Sequence, residues 1–310
     1  MQSRTRGLRE LCGLLGYSPQ AYYQYDHHVE DRIFKEEELI QQVMAHRRLQ
    51  PRLGGRKLLV VMEQYMEQDG LGMGRDAFFE LLRARGLLVR RKRRRVRTTF
   101  SAHRFRKYPN LINGLIVERP DQLWVSDITY IRLQGEKFAY LSLVTDAYSR
   151  KIIGFCVSHD LCSASCLKAL QMALAQRTAN LPLIHHSDRG TQYCSRSYIA
   201  LLKKKGIHIS MTQSGNPRDN AIAERVNGIL KQEYLTKIYP DVKTARNAVN
   251  TNIPIYNGSR PHASLDMLTP EQAHLKTGYI KKRWKNYYQT NNGKEVIYPN
   301  RTASVNLLQD

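Results

Sequence analysis

"LWVSDITYIRLQGEKFAYLSLVTDAYSRKIIGFCVSHD", residues 123–160, is the stretch on which the fold turns. "LWVSDITYIRL" (123–133), "KFAYLSLVTDAYS" (137–149) and "KIIGFCVSHD" (151–160) are rich in β-branched and aromatic residues. Gly135 marks a turn, and the connections are minimal. The pattern predicts three strands in an antiparallel meander. One residue breaks the apolar run. Asp127 stands in the middle of the first strand, where a carboxylate is costly unless it is paired, hydrogen-bonded or bound to metal.

Downstream the period changes. "SASCLKALQMALAQR" (163–177) predicts a helix with Leu167, Leu170 and Leu174 on one face. "LPLIHHSD" (181–188) predicts a short buried strand ending in Asp188. "SRSYIALLKKKG" (195–206) predicts a helix closed by Gly206, and "IHISMT" (207–212) a fifth strand. "SGNPRDNAIAERVNGILKQEY" (214–234) begins as loop and continues as helix. On a wheel of about 100° per residue, Ile222, Val226, Ile229 and Leu230 form an apolar stripe, opposite Asn220, Glu224, Asn227 and Lys231. The polar side faces either water or a site. The order β-β-β-α-β-α-β-α predicts a mixed five-stranded sheet with helices on both faces, which is the ribonuclease-H-like order.

Upstream, residues 1 to about 90 read as helical. "SPQAYYQY" (18–25) has a Ser-Pro helix start, and Ile33, Leu39, Ile40 and Val43 recur at helical spacing. Asp69-Gly70 and Gly86 read as helix stops. Short helices joined by Gly-containing turns suit a helix-turn-helix module, and equally a plain bundle. Residues 81–117 then hold no Asp or Glu, while Arg91, Lys92, Arg93, Arg94 and Arg95 follow one another. Charges packed so densely repel, so this reads as a linker, and one that lies along phosphate backbone. The expected divisions are 1–88 (helical), 89–118 (basic linker), 119–240 (catalytic core) and 241–310 (C-terminal helices and basic-aromatic tail). In that tail "KKRWKNYY" (281–288) suits DNA or a solvated end equally.

The bulk chemistry agrees with a nucleic-acid protein. The chain has 310 residues and a formal net charge of +22. No apolar run approaches the roughly 18 residues needed to span a bilayer, and no long apolar signal region opens the chain. The five cysteines form no CxxC and have no His pair at zinc-finger spacing, so they read as reduced, with no structural zinc. The default expectation is a cytosolic protein facing DNA or RNA.

Three acids stand at comparable places: Asp127 in the first strand, Asp188 at the end of the fourth, and Glu224 in the first turn of the last helix. The topology puts the first and fourth strands side by side. Three hard oxygen ligands suit two Mg²⁺ ions, with Mn²⁺ as a substitute, and such a pair clamps the attacking and leaving oxygens of a phosphodiester. Asn220, one turn before Glu224, is a candidate to orient it or to cap the helix. Asp146 reads better as a turn cap than as a fourth ligand, and His185 and His186 read as packed. "LTPEQA" (268–273) is a capping box.

Between Asp188 and Glu224 lie 35 residues, which is the D,D(35)E spacing of retroviral integrases and related transposases. "HHSDRGTQY", "SGNPRDNAIAERVNGILKQEY" and "YNGSRPHASLDMLTPEQA" (256–273) resemble the signature blocks of transposases of insertion-sequence family three, second-reading-frame product. "GYSPQAYYQY" and "GGRKLL…GLL" resemble its N-terminal region more loosely. The resemblance spans most of residues 10–275. It implies a bacterial cytoplasmic, nucleoid-associated DNA transposase. Such an enzyme cuts one strand at the element's end with water, and the resulting 3′-hydroxyl attacks another phosphodiester. It implies element-end and target DNA as partners. Bringing two ends together calls for a homodimer or higher assembly on DNA. The first-reading-frame product is a further candidate partner. Where integrases carry a Lys four residues after the Glu, this chain has Gly228. Lys231, seven after, matches and is expected to touch the DNA end. Arg189, Gln192 and Tyr193 are expected near DNA on the same ground. The competing readings are a ribonuclease-H-type nuclease and a DNA-binding regulator or inactive relic. A glycosidase would leave the charge unexplained.

Overall fold

The computed structural model describes residues 2–89, 106–177, 181–213 and 220–283. The run Arg91–Arg95 and residues 284–288 of the basic-aromatic segment lie outside the described residues.

The meander forms as expected. β1 (Leu123–Arg132), β2 (Phe138–Asp146) and β3 (Ile152–Ser158) pair antiparallel. Gly135 (φ 67°) takes the left-handed conformation that the β1–β2 turn requires. β4 (Ile184–Ser187) then adds parallel to β1, and β5 (His208–Met211) parallel to β4, giving the order β3-β2-β1-β4-β5. This is the mixed five-stranded, ribonuclease-H-like sheet.

Two helical layers cover it. On one face α5 (Ser163–Gln176) and α6 (Arg196–Lys204) bury Leu170, Tyr198 and Leu202 against Trp124, Val144 and Ile153. On the other, α7 (Ala221–Ile229) and α8 (Val242–Ser259) bury Val226, Ile229 and Val249 against Ile131, Leu141 and Leu143. The buried face of α5 differs from the leucine stripe expected. Cys166, Ala169, Leu170 and Ala173 face the sheet, while Leu167 and Leu174 are half-buried. Gly154 explains the choice of small residues. A Cβ there would meet the Ala169 carbonyl oxygen at 2.0 Å, so helix and strand backbones touch.

Four helices precede the sheet: α1 (Gln2–Leu14), α2 (Pro19–Leu49), α3 (Gly55–Gln68) and α4 (Arg75–Ala84). "SPQAYYQY" and the segment after it form one helix of 31 residues, capped by Ser18, whose Oγ accepts from the Ala21 amide (3.0 Å). Leu39, Val43, Leu58, Met62, Phe78 and Leu82 make a separate core. Ile33 does not join it and is exposed; the residues of α2 buried in this core begin at Leu39. Gly70 and Gly86 end α3 and α4 at φ 64° and 66°.

Gln50, directly after α2, is 2% exposed and fastens these helices to the sheet domain. Its Nε2 donates to the Ser259 carbonyl (2.9 Å), and its Oε1 accepts from the Tyr234 hydroxyl (3.1 Å). Ile112, Leu115 and Val117, preceding β1, pack on Leu123, Val125 and Ala223. The five cysteines are free, and no helix among the described residues is long and apolar enough to cross a membrane.

Candidate active site

β1 and β4 are in register as far as Ser126 opposite Ser187. Asp127 and Asp188 are each the next residue. Side chains alternate across a sheet, so both carboxylates project to the same face from neighbouring strands. That is the face on which Leu123 and Val125 meet Ala223 of α7. Burial pushes the Tyr193 phenol well above its ordinary value, and the charges of Cys166, Asp127 and Asp188 add to that.

Each carboxylate is held. Asp127 Oδ1 accepts from the Ile128 amide (2.9 Å) and Oδ2 from Asn227 Nδ2 (2.7 Å). Asp188 Oδ1 accepts from the Gly190 amide (3.0 Å). A Cβ on Gly190 would stand 3.0 Å from that same oxygen, so a larger residue in the turn "DRG" would press on the Asp188 carboxylate.

The polar side of α7 follows β1. Asn220 Nδ2 donates to the Ser126 carbonyl (3.1 Å), Asn227 to Asp127, and Lys231 Nζ sits 3.7 Å over the Tyr130 ring. Asn220 occupies the position before the helix, yet its side chain makes no cap bond, because the amide is turned to the strand. Glu224 lies one turn on and is exposed. Its neighbours Ala223 and Asn227 are buried against the sheet, so Glu224 borders the contact. The three acids are not drawn together at metal-binding distance: no group of three His, Cys, Asp or Glu among the described residues is arranged to hold an ion. Asn220 Oδ1 and Asn227 Oδ1 are buried without a hydrogen-bond partner among the described residues. The polar atoms on this face are carboxylate and amide oxygens, hard donors whose chemistry fits Mg²⁺ and not a thiophilic metal.

The sequence places Asn227 on the polar side of the helix but assigns it no role. Its signal is weak: a single polar residue three positions after Glu224. Arg189 is half-buried. Asp146 proves to be a turn cap, fully buried. Its Oδ1 accepts from Ser149 N (2.7 Å) and Ser149 Oγ (2.8 Å), and its Oδ2 from Asp121 N (2.8 Å). Burial raises its pKa, and those bonds oppose the rise. His185 is packed. Ser126 Oγ (2.8 Å) and Tyr198 Oη (2.9 Å) both meet its Nε2, and burial pushes its pKa down to about 3. His186 Nδ1 meets Ser210 Oγ at 2.8 Å.

Behind α7, in the π-helical turn Leu230–Tyr234, Glu233 receives both arms of the buried Arg260 guanidinium (2.8 and 2.7 Å). Arg260 Nη1 also donates to His262 Nε2 (3.1 Å). Burial first, and then Arg260, keep that imidazole well below its ordinary pKa and neutral. Lys57 of α3 feels the same pair. Burial, with Arg260 next, lowers its pKa to about 8.

An integrase core domain matches residues 117–217 and a second integrase core model residues 205–270. The insertion element IS600 31 kDa protein of Shigella sonnei is 33% identical over 265 residues, covering 84% of this chain and 96% of its own. The transposase for insertion sequence element IS629 of Shigella sonnei is 31% identical over 280 residues, covering 86% and 91%. Transposase InsF for insertion sequence IS3fB of Escherichia coli is 35% identical over 194 residues, covering 62% and 67%. The chain belongs to the DDE-type insertion-sequence transposases of family three, and is a DNA transposase built on an integrase core domain.

Proposed function

We propose that this transposase cuts one strand at each end of its element with water, and that the liberated 3′-hydroxyl attacks a second phosphodiester in line. Asp127, Asp188 and Glu224 are the metal-binding acids. The observation that carries the reading is the register of β1 and β4, which sets two carboxylates side by side beneath the helix bearing the third. These acids would hold divalent metal, two Mg²⁺ ions or Mn²⁺ in their place, which when bound would supply Lewis-acid stabilisation to the reacting phosphodiester.

The chain's own residues do the rest. Asn227 fixes the rotamer of Asp127 by its 2.7 Å bond. Asn220 anchors the start of α7 to β1 and thereby sets where Glu224 stands. Lys231 and Arg189 contact the element end, and Arg91–Arg95 runs along its phosphates. The helical region 1–88 serves as the DNA-binding module, 119–240 as the catalytic core and 241–310 as its support. The partners are element-end DNA, target DNA, a second protomer on DNA and the first-reading-frame product, in the bacterial cytoplasm at the nucleoid.

A strand-transfer assay tests this. Purified protein meets labelled duplex from the ends flanking its own gene, with Mg²⁺ or EDTA, beside Glu224→Gln. Joined products that need Mg²⁺ and vanish in the variant are expected. Joining undiminished in Glu224→Gln removes that residue from the site. Binding without chemistry, repeated with the first-frame segment fused, sinks the enzymatic reading.

A further inference from the structure

The polar side of the last core helix meets β1 at successive places. Asn220 reaches Ser126, Asn227 reaches Asp127, and Lys231, one turn later, reaches Tyr130. The first two contacts are hydrogen bonds. The third sets an ammonium 3.7 Å from the centre of an aromatic ring, over its face. Both side chains are half-buried.

The sheet makes room for this contact. β4 pairs with β1 only from Leu123 to Ser126, so from Asp127 onward β2 is the one strand beside β1 among the described residues. Side chains alternate along β1: Ile131 packs with the layer of α7 and α8, and Ile128 with that of α5 and α6. Asp127 belongs with the first set and Tyr130 with the second. Lys231 therefore passes from the α7 side round the open edge of β1 to a ring on the other side. Phe138 braces that ring edge-on, with centroids 5.2 Å apart at 77°, although it is itself 43% exposed.

A lysine on its flexible four-carbon stem sweeps a wide volume unless something confines it. A carboxylate would confine it and cancel its charge. A ring face confines it and leaves the charge for another anion. Of the acids on its own helix, Glu233 takes both arms of Arg260, and Glu224 lies seven residues, about two turns, before Lys231. Asp127 receives Asn227 and the Ile128 amide. Arg132 and Lys137, exposed toward the tip of the β1–β2 hairpin, add positive charge to this edge, and Glu136 in the turn offsets part of it.

We propose that Tyr130 is a positioning residue for the element end: its ring face, braced by Phe138, holds the Lys231 ammonium at the open edge of β1, where that charge meets a phosphate of the strand brought to Asp127. The inference rests on the reading of Lys231 as a DNA-end contact, and adds the group that fixes where the contact is made. In this role the ring acts through Lys231 and not on the acids.

A double-mutant cycle in the full chain tests it, reading the affinity for element-end duplex and the rate of its cleavage across Mg²⁺ concentrations. Tyr130→Leu is expected to weaken end binding roughly tenfold and to leave the Mg²⁺ concentration for half-maximal rate where it is. Tyr130→Phe keeps the ring face and loses only the hydroxyl, so it should recover all but about twofold. In a Lys231→Gln background, Tyr130→Leu should cost nothing further. Phe138→Ala, a change at an exposed side chain, should weaken binding roughly threefold, and only while Lys231 is present. It replaces Tyr130→Leu in the cycle if circular dichroism finds that variant unfolded. Equal losses from Tyr130→Leu with and without Lys231 overturn the proposal alone, as do a phenylalanine variant as weak as the leucine one and a shifted Mg²⁺ curve. Lys231→Gln binding the end as tightly as wild type overturns the underlying reading of Lys231, and the proposal with it.

Discussion

Asn227 Nδ2 stands 2.7 Å from Asp127 Oδ2, a bond between residues 100 apart that ties the last helix of the core to its first strand. The amide can donate only to an ionised or suitably turned carboxyl, so it selects one rotamer of Asp127.

Asn227→Ala is therefore expected to lower cleavage by about 10- to 100-fold and to raise the Mg²⁺ concentration needed for half-maximal rate. Stability should fall by about 1–2 kcal/mol from the lost buried bond. A merely structural residue would shift the melting temperature and leave the Mg²⁺ curve where it was. An unmoved curve in titrated cleavage assays would deny Asn227 its positioning role.

Arg260 and Glu233 form a bidentate pair whose guanidinium is 1% exposed. Burial opposes the charge of Arg260, and the carboxylate more than offsets it. Arg260→Met leaves Glu233 uncompensated, and a loss of about 3 kcal/mol is expected from urea melts. Arg260→Lys restores charge without the planar fork and should recover only part. Full recovery by lysine would show that geometry is irrelevant here.

His185 is neutral in the fold, with its pKa about 3 against an ordinary 6.5. The unfolded chain binds a proton there that the folded chain refuses. This contribution is whole above pH 6.5 and is lost as pH falls toward 3. Between pH 7.5 and 5.5 it amounts to about 1.4 kcal/mol. His185→Gln should lose less stability than wild type over that interval by this amount. Equal losses in paired denaturation curves would contradict it.

The run Arg91–Arg95 should set the salt slope of DNA binding. Each phosphate contact contributes about 0.9 to the slope of log affinity against log salt. Replacing the five residues with Gln should flatten the slope by several such steps. An unchanged slope would reduce the run to a spacer.

The sheet was legible because its strands are short, β-rich and separated by glycine or charge, and because Asp127 is conspicuous in an apolar strand. The span of α2 was legible too, since no glycine or internal proline interrupts residues 20–49. A wheel could not say that Asn227 faces the sheet. It separates two sides of a helix, and here small Ala223 and polar Asn227 go inward beside Val226. The small-residue face of α5 was hidden because it depends on Gly154, which approaches from another element. Gln50, with partners 184 and 209 residues away, left no local trace. The relation between Asp127 and Asp188 could be anticipated from topology, whereas the exposure of Glu224 could not.

Gln50 begins where α2 ends, and α2 has no break from Pro19 to Leu49. Thirty-one residues at 1.5 Å each make a rod of about 46 Å. Its far tip is free of the module and its near end is bolted to the turn behind α7. A load on the tip reaches the catalytic helix without passing a hinge. Adding one residue within the rod would rotate everything beyond it by about 100°, whereas adding seven would nearly restore the phase. The helix behaves as a ruler and a crankshaft at once, and its length is as much a functional dimension as any distance among the acids.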